Sequence, residues 1–278
     1  MKIGFFITAR LKSSRLKQKI LLDLNGKTVL ERVIERCKAT IGVDGVVLCT
    51  STNHQDSILY NYALKNKIQF YAGSEDDVLQ RLLDAAKYYH YDAFVSITAD
   101  NPLFSIYTSQ LLIDRFKSEP FDFGFTKGLP IGMATSMIET KALDVAVYMK
   151  KQTDTEIWGP FVNRPDFFNI FTLVVKNSPL DESKRLTLDY TEDYQLISSI
   201  YKYFHNTDII QIHSLFQLLN DHPSLLSINQ ERKQKWPSEE TINTIKENFN
   251  KHLQNGINYA QENHKRLVPK HSETFLSL

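Results

Sequence analysis

The chain opens with an apolar run, Ile3–Thr8, short enough for a strand and bounded on its far side by a polar stretch. Apolar runs recur at residues 46–49, 68–71, 93–98, 121–125 and 168–175, and most are separated by segments with helical spacing. Thr28 and Glu31 stand at the positions of a capping box, and Val29, Leu30, Val33, Ile34 and Cys37 then share one helix face. Further helices are predicted near 56–65, from an acidic turn capped by Ser74 to about 89, after Ser105, over 141–149, and over 192–204 behind a Thr191 cap. Strand and helix alternating in this way predict an α/β fold with a mostly parallel, Rossmann-like sheet covered on both faces. Past residue 204 strand signals become scarce. Ile242, Ile245, Phe249, Leu253, Ile257 and Ala260 form a stripe at spacings of three and four behind a helix start at Ser238. The expected division is therefore a domain over 1–204 and a helical C-terminal extension over 205–278, frayed after Pro269. The stripe packs either on its own domain or on a second copy, which makes a homodimer an expectation.

Composition narrows the function classes. With 278 residues the chain can bury a full core, and 33 Lys and Arg against 32 Asp and Glu leave a net charge of +1. Nothing in that balance calls for a nucleic acid or membrane partner, and no basic stripe or recognition motif accompanies it. No run approaches the roughly 18 apolar residues of a membrane span, and Lys2 to Thr8 is too short for a signal-peptide core. Cys37 and Cys49 both lie in apolar contexts and read as reduced core residues, so a cytoplasmic protein is expected.

The positive charge is instead local. Arg10, Lys12, Arg15, Lys17 and Lys19 fall in one loop with Ser13 and Ser14, directly after the first strand. A loop leaving the carboxyl end of a strand is where open α/β sheets bind ligands. Arg grips phosphate as a planar fork and Lys as a mobile point charge, so the loop suits a polyphosphate. No glycine lies between Gly4 and Gly26, which excludes a glycine-rich phosphate loop and, with it, a dinucleotide-dependent dehydrogenase. Two carboxylates follow apolar runs elsewhere: Asp100 after residues 93–98, and Asp189 after Leu186-Thr187-Leu188. Asp100 reads either as a turn or cap residue or as a ligand for a divalent cation, whereas a Thr191 cap accounts for Glu192 and Asp193 but not for Asp189. Together with the loop they suit metal-assisted attack on phosphorus.

Ala9-Arg10, Ser13-Ser14-Arg15-Leu16 and Lys19 resemble the opening motif of the cytidylyltransferases that make CMP-activated acidic sugars. Gly73-x-x-x-Asp77-Val78-Leu79-x-Arg81, Thr98-x-Asp100-x-Pro102-Leu103 and Leu188-Asp189-x-x-Glu192-Asp193 resemble more narrowly the SpsF-type branch named for spore-coat polysaccharide. The resemblance spans about residues 1–204. It implies a nucleotidyltransferase fold of GT-A-like architecture, CTP as co-substrate and Mg²⁺ as cofactor. An acceptor oxygen would attack the α-phosphorus of CTP and pyrophosphate would leave. On this analogy Arg10, Arg15 and Lys19 hold the triphosphate, with Ala9, Ser13 and Ser14 beside them. Asp100 and Asp189 bind Mg²⁺. Asp77 and Arg81 border the nucleotide, although Asp77 reads equally as a helix-start acid. Arg185, Gly132 and Thr135 are assigned to the acidic acceptor.

The chain departs from the family at three places. Lys17-Gln18 stands where Pro-Gly is common, Ile157 where the branch often has His, and Met133-Ala134-Thr135-Ser136 lacks an acid. The first change predicts a less rigid loop, and the others bear on the acceptor. Two further readings remain beside the enzyme: a nucleotide-sugar-dependent glycosyltransferase, whose usual Asp-x-Asp pair is a single acid here, and an inactive nucleotide-binding scaffold.

Overall fold

The computed structural model describes residues 1–13, 15–150, 152–204, 209–264 and 270–278. The first half alternates as β1 (Ile3–Thr8), α1 (Val29–Ala39), β2 (Gly45–Ser51), α2 (Leu59–Lys65), β3 (Gln69–Gly73), α3 (Val78–Tyr88), β4 (Ala93–Thr98) and α4 (Ile106–Ser118). Then come β5 (Phe123–Lys127), β6 (Ser136–Glu139), α5 (Thr140–Met149), a single turn α6 (Gly159–Val162), β7 (Ile170–Lys176) and α7 (Thr191–Tyr203). The chain closes with α8 (Ile212–Asp221), α9 (Glu239–Asn250), α10 (Leu253–His264) and β8 (His271–Ser277). The eight strands form one sheet in the order β3-β2-β1-β4-β6-β5-β7-β8. Only β6 runs antiparallel to its neighbours, so the expected mostly parallel sheet is observed.

Alternation along β1 explains the layers. Ile3, Phe5 and Ile7 point to one face, where Leu30, Val33, Ile34 and Cys37 of α1 and Leu112, Ile113 and Phe116 of α4 cover them. Phe6 points to the other face, against Val47, Phe94 and the helices α3 and α5. Burying each such side chain contributes about 1.5–3 kcal/mol, which is why the central strands are apolar on both sides. A third cluster, with Leu103, Leu186, Leu188, Leu196 and Phe216, sits under α7 and α8.

Local signals hold in part. The Thr28 capping box forms with both bonds, and Ser105 and Ser238 cap α4 and α9. The cap of α3 is Asp77, not Ser74; Ser74 Oγ instead accepts from the Asp77 N–H. The cap of α7 is Tyr190, so Thr191 is its first helical residue. Both cysteines are free and buried.

The tail is not helical throughout. Residues after Pro269 do not fray: β8 pairs in parallel with β7 from Ile170↔His271 to Lys176↔Ser277. The stripe is split between α9 and α10 and docks on its own sheet layer, with Ile245, Phe249 and Ala260 in the core. Asp144 of α5 ties α10 down, accepting from the Tyr259 hydroxyl at 3.1 Å and lying 3.0 Å from His264 Nε2. Half of the stripe, Ile245, Phe249 and Ala260, is thus buried within the chain, and Leu253 and Ile257 pack partly buried beside it.

Candidate active site

The strand order reverses between β1 and β4, which lie side by side in register up to Thr8↔Thr98. Such a switch point opens a crevice at the carboxyl ends of the two strands. The cationic loop leaves β1 into it, and the Asp100 turn leaves β4 into it. Backbone bonds fix both exits: Ala9 N–H to Cys49 O at 3.0 Å, and Ala99 N–H to Thr8 O at 2.9 Å. Further out, Leu11 N–H donates to the buried Asp56 Oδ1 at 2.7 Å. The crevice is a cavity of about 280 Å³. Arg10, Lys12, Ser13, Arg15 and Lys19 line it from the first loop, and Thr98, Asp100 and Asp189 from the opposite side.

Asp189 does not end a strand of the sheet, as its apolar approach predicts. Its segment is held by loop-to-loop bonds instead: Leu186 N–H to Ile131 O at 2.8 Å and Leu188 N–H to Asp100 O at 2.9 Å. The second of these carries Asp189 to Asp100. Lys19 Nζ donates to Asp100 Oδ2 at 2.5 Å and to Asp189 Oδ1 at 2.8 Å, so the two carboxylates converge on one point. Arg15 reaches the same Asp189 oxygen at 3.2 Å, and the Thr98 hydroxyl donates to Asp100 Oδ1 at 2.5 Å. Burial pushes the Asp189 carboxyl up, but Lys19, Arg15 and Arg185 outweigh it and hold the pKa below the ordinary value. Burial likewise works against the Lys19 ammonium, and Asp100 and Asp189 raise its pKa nonetheless.

Two hard carboxylate donors aimed at one point fit a Mg²⁺ ion that takes its remaining ligands from substrate phosphate and water. Among the described residues no three or more acidic, His or Cys side chains are grouped so as to hold a metal ion by themselves. A divalent ion here would therefore need the nucleotide to complete its shell, and it would compete with Lys19.

Behind Asp189 lies a buried polar layer. Arg185, only 4% exposed, bonds Asp189 Oδ2 at 3.2 Å and Asp193 Oδ2 at 3.1 Å. Asp193 is fully buried and accepts from the N–H groups of Asp189 and Tyr190, each at 3.0 Å. Asn229 Nδ2 donates to Asp193 Oδ1 at 2.8 Å, and Gln234 bonds Arg185. The segment between α8 and α9 thereby completes the support of a carboxylate far earlier in the chain.

Of the residues singled out from sequence, Ala9, Arg10, Ser13, Arg15, Lys19, Arg81, Asp100 and Asp189 all line the one cavity. Ser14 lies outside the described residues. Asp77 is a cap that accepts from the Gln80 N–H at 3.1 Å, pairs with Lys150 and is absent from the cavity wall. Arg185 stands behind Asp189 rather than open to an acceptor. Gly132 lies in a turn at φ +95°, packed against Thr187 N and Asn101 Oδ1. Thr135 lines a neighbouring cavity, its hydroxyl 2.9 Å from that of Ser109. Sequence reasoning missed Glu156, which pairs with Arg10 inside the cavity and has no local signal. Trp158, also on the wall, was visible as part of Trp158-Gly159-Pro160-Phe161. Gln18, where the family often has Gly, keeps a left-handed backbone at φ 49° and opens the turn that presents Lys19.

Comparison with known proteins agrees with this arrangement. An uncharacterized protein of Methanocaldococcus jannaschii is 32% identical, over 84% of this chain and 97% of that one. The spore coat polysaccharide biosynthesis protein SpsF of Bacillus subtilis is 24% identical, over 80% of this chain and 95% of that one. The structure of a cytidylyltransferase from Leptospira borgpetersenii superposes with a TM-score of 0.76 at 27% identity, covering 85% of this chain and all (100%) of that one. Residues 5–276 match the family described as Cytidylyltransferase, so the match runs past residue 204 and takes in the tail. The crevice at the switch point, the cations of its first loop and a match over nearly the whole chain lead to one conclusion: the chain belongs to the cytidylyltransferase family and is a CTP-dependent nucleotidyltransferase.

Proposed function

We propose that the enzyme transfers the cytidylyl group of CTP to an oxygen of an acidic sugar or related small acid. The bond from the acceptor oxygen to the α-phosphorus forms, the bond to the β-phosphate oxygen breaks, and pyrophosphate leaves. The observation that carries this reading is the convergence of Asp100 and Asp189 on one point beside Arg10, Arg15 and Lys19. In this reading Arg10, Arg15 and Lys19 grip the triphosphate and neutralise the charge that grows on the leaving pyrophosphate. Ala9 and Ser13 shape the loop around it, and Arg81 closes the wall. Asp100 and Asp189 would hold Mg²⁺, which when bound would supply Lewis-acid activation of the phosphoryl group. Arg185 and Asp193 fix Asp189 from behind. The acidic acceptor and a role in surface polysaccharide rest on the motif resemblance and on the kinship with SpsF. No helix among the described residues is long and apolar enough to cross a membrane, and we place the reaction in the cytoplasm.

The test is pyrophosphate release from each of the four nucleoside triphosphates with Mg²⁺, against a panel of acidic sugars. CTP alone is expected to support turnover. Asp100→Asn and Asp189→Asn are each expected to abolish it while the fold survives; full activity in either variant removes the metal assignment.

A further inference from the structure

Among the described residues three acids line the crevice: Asp100, Asp189 and Glu156. The first two face Lys19 and have a task in the transfer. Glu156 has none. It stands between α5 and α6 and pairs through one oxygen with Arg10 Nη2. The Glu156 and Arg10 side chains are 61% and 27% exposed, and among the described residues the Glu156 carboxylate bonds no other group. Asp193 shows how differently this fold holds a supporting carboxylate: it is fully buried and accepts from Arg185, Asn229 and two backbone N–H groups. The backbone just before Glu156 is fixed, however. Thr155 is fully buried, and its N–H donates to Asp76 O at 3.1 Å. Its hydroxyl donates to Asp77 Oδ1 and accepts from the Leu79 N–H, each at 3.0 Å. This anchor holds the peptide at the crevice and leaves the exposed carboxylate able to turn away.

Arginine meets a carboxylate and a phosphate through the same fork of N–H groups. A triphosphate that enters the crevice and takes Arg10 must displace Glu156, and a departing pyrophosphate hands Arg10 back. We propose that Glu156 is an internal competitor of the phosphates for Arg10, a residue that sets the affinity for CTP and the rate at which pyrophosphate leaves. No covalent bond forms or breaks in this exchange; one ion pair replaces another. The competition weakens the binding of CTP and of pyrophosphate alike. Binding of that uniform kind lowers KM without raising kcat, so the chemical step loses nothing by it. Product release, which limits many enzymes, gains. The other cations of the loop are placed differently. Lys12 faces Glu75, which stands outside the crevice wall and also accepts from Asn53 at 3.1 Å. Arg15 and Lys19 face the two carboxylates assigned to the metal. The proposal rests on the CTP-dependent activity alone and is independent of the acceptor.

The test needs no acceptor. Calorimetry gives the Kd of CTP and of inorganic pyrophosphate, each with Mg²⁺, for the full-length parent, Glu156→Gln, Arg10→Met and the double variant. A competing ion pair this exposed corresponds to about two- to fivefold in Kd. Glu156→Gln is expected to bind both anions more tightly by that factor. Stopped-flow tryptophan fluorescence, with Trp158 on the crevice wall, is expected to show pyrophosphate leaving more slowly to the same extent. Once Arg10 is Met, the Glu156→Gln change is expected to add nothing, because the contested group is gone. Asp76→Asn removes a charge from the exposed turn before α3, outside the crevice wall, and is expected to leave both Kd values within about 1.5-fold. Weaker anion binding in Glu156→Gln overturns the proposal and makes Glu156 a positioning residue or a nucleotide contact. Unchanged binding overturns it as well. So does an equal gain in Asp76→Asn, or a gain that persists beside Arg10→Met, since either reduces the effect to general charge. A parent protein that fails to bind CTP refutes the crevice as the nucleotide site; pyrophosphate then still decides the competition at Arg10, and binding of neither anion by any of the proteins overturns both.

Discussion

Replacing Lys19 by Met separates two tasks that the site gives to one ammonium group. Lys19 Nζ occupies both Asp100 and Asp189, at 2.5 and 2.8 Å, and so competes with a divalent ion for the same oxygens. A hydrogen bond between ionised groups is worth about 1.5–3 kcal/mol net, and removing this competitor should strengthen divalent-ion binding by about ten- to a hundredfold. A second effect has the same sign. The two bonds put the carboxylate oxygens within roughly 5 Å of each other, where their repulsion at an effective dielectric constant of about 20 is about 3 kcal/mol. With Lys19 absent that repulsion destabilises the metal-free protein and favours a bound cation further. Lys19→Met is therefore expected to bind Mn²⁺ more tightly without nucleotide, to melt lower in metal-free buffer, and to recover when Mn²⁺ is added. Its turnover of CTP should fall, because the triphosphate loses a partner. Mn²⁺ titration followed by electron paramagnetic resonance, beside calorimetric melting, reads both effects. Mn²⁺ binding that is unchanged or weaker in the variant would refute the reasoning and remove Asp100 and Asp189 as a masked metal site.

Three other outcomes follow from the same geometry. Arg185→Met leaves the fully buried Asp193 without its cation and should cost about 3–5 kcal/mol in urea unfolding; a loss below about 1 kcal/mol contradicts the support role. Gln18→Gly relieves a left-handed non-glycine residue, about 1 kcal/mol, and should raise the melting temperature by about 1–3 °C; a lower melting temperature contradicts it. The depressed pKa of Asp189 sets a pH dependence. Its contribution to stability is complete above the ordinary carboxylate range and is lost as pH falls through the lower folded-state value. That acid-side loss should shrink in Lys19→Met; equal acid sensitivity in the two proteins contradicts the assignment.

How much of this was legible in the sequence depends on which interactions decide each element. The central strands are buried on both faces, so their apolar runs announce them. β6 has only Met137 and Ile138 as apolar residues, and β8 reads His271-Ser272-Glu273-Thr274, so pairing with an open neighbour rather than pattern makes each a strand. α8 carries Ile212, Leu215, Phe216 and Leu219 at helical spacing and could have been found. Within the site, Arg10, Lys19, Asp100 and Asp189 were legible because each follows a short apolar run that ends in a loop. The side of Asp189 on which Arg185 stands was not, since a cation in front of a carboxylate and one behind it look alike in sequence. Asn229 and Gln234 lie too far along the chain for any local pattern to tie them to Asp193 and Arg185.

The pairing of β8 along β7 has a consequence for what the sheet shows to other molecules. Without His271–Ser277, β7 would present Ile170-Phe171-Thr172-Leu173-Val174-Val175 as a bare sheet edge, a template for pairing with other chains. β8 takes that place with a strand that begins His271-Ser272-Glu273-Thr274, so an apolar edge is exchanged for one that opens with polar and charged side chains.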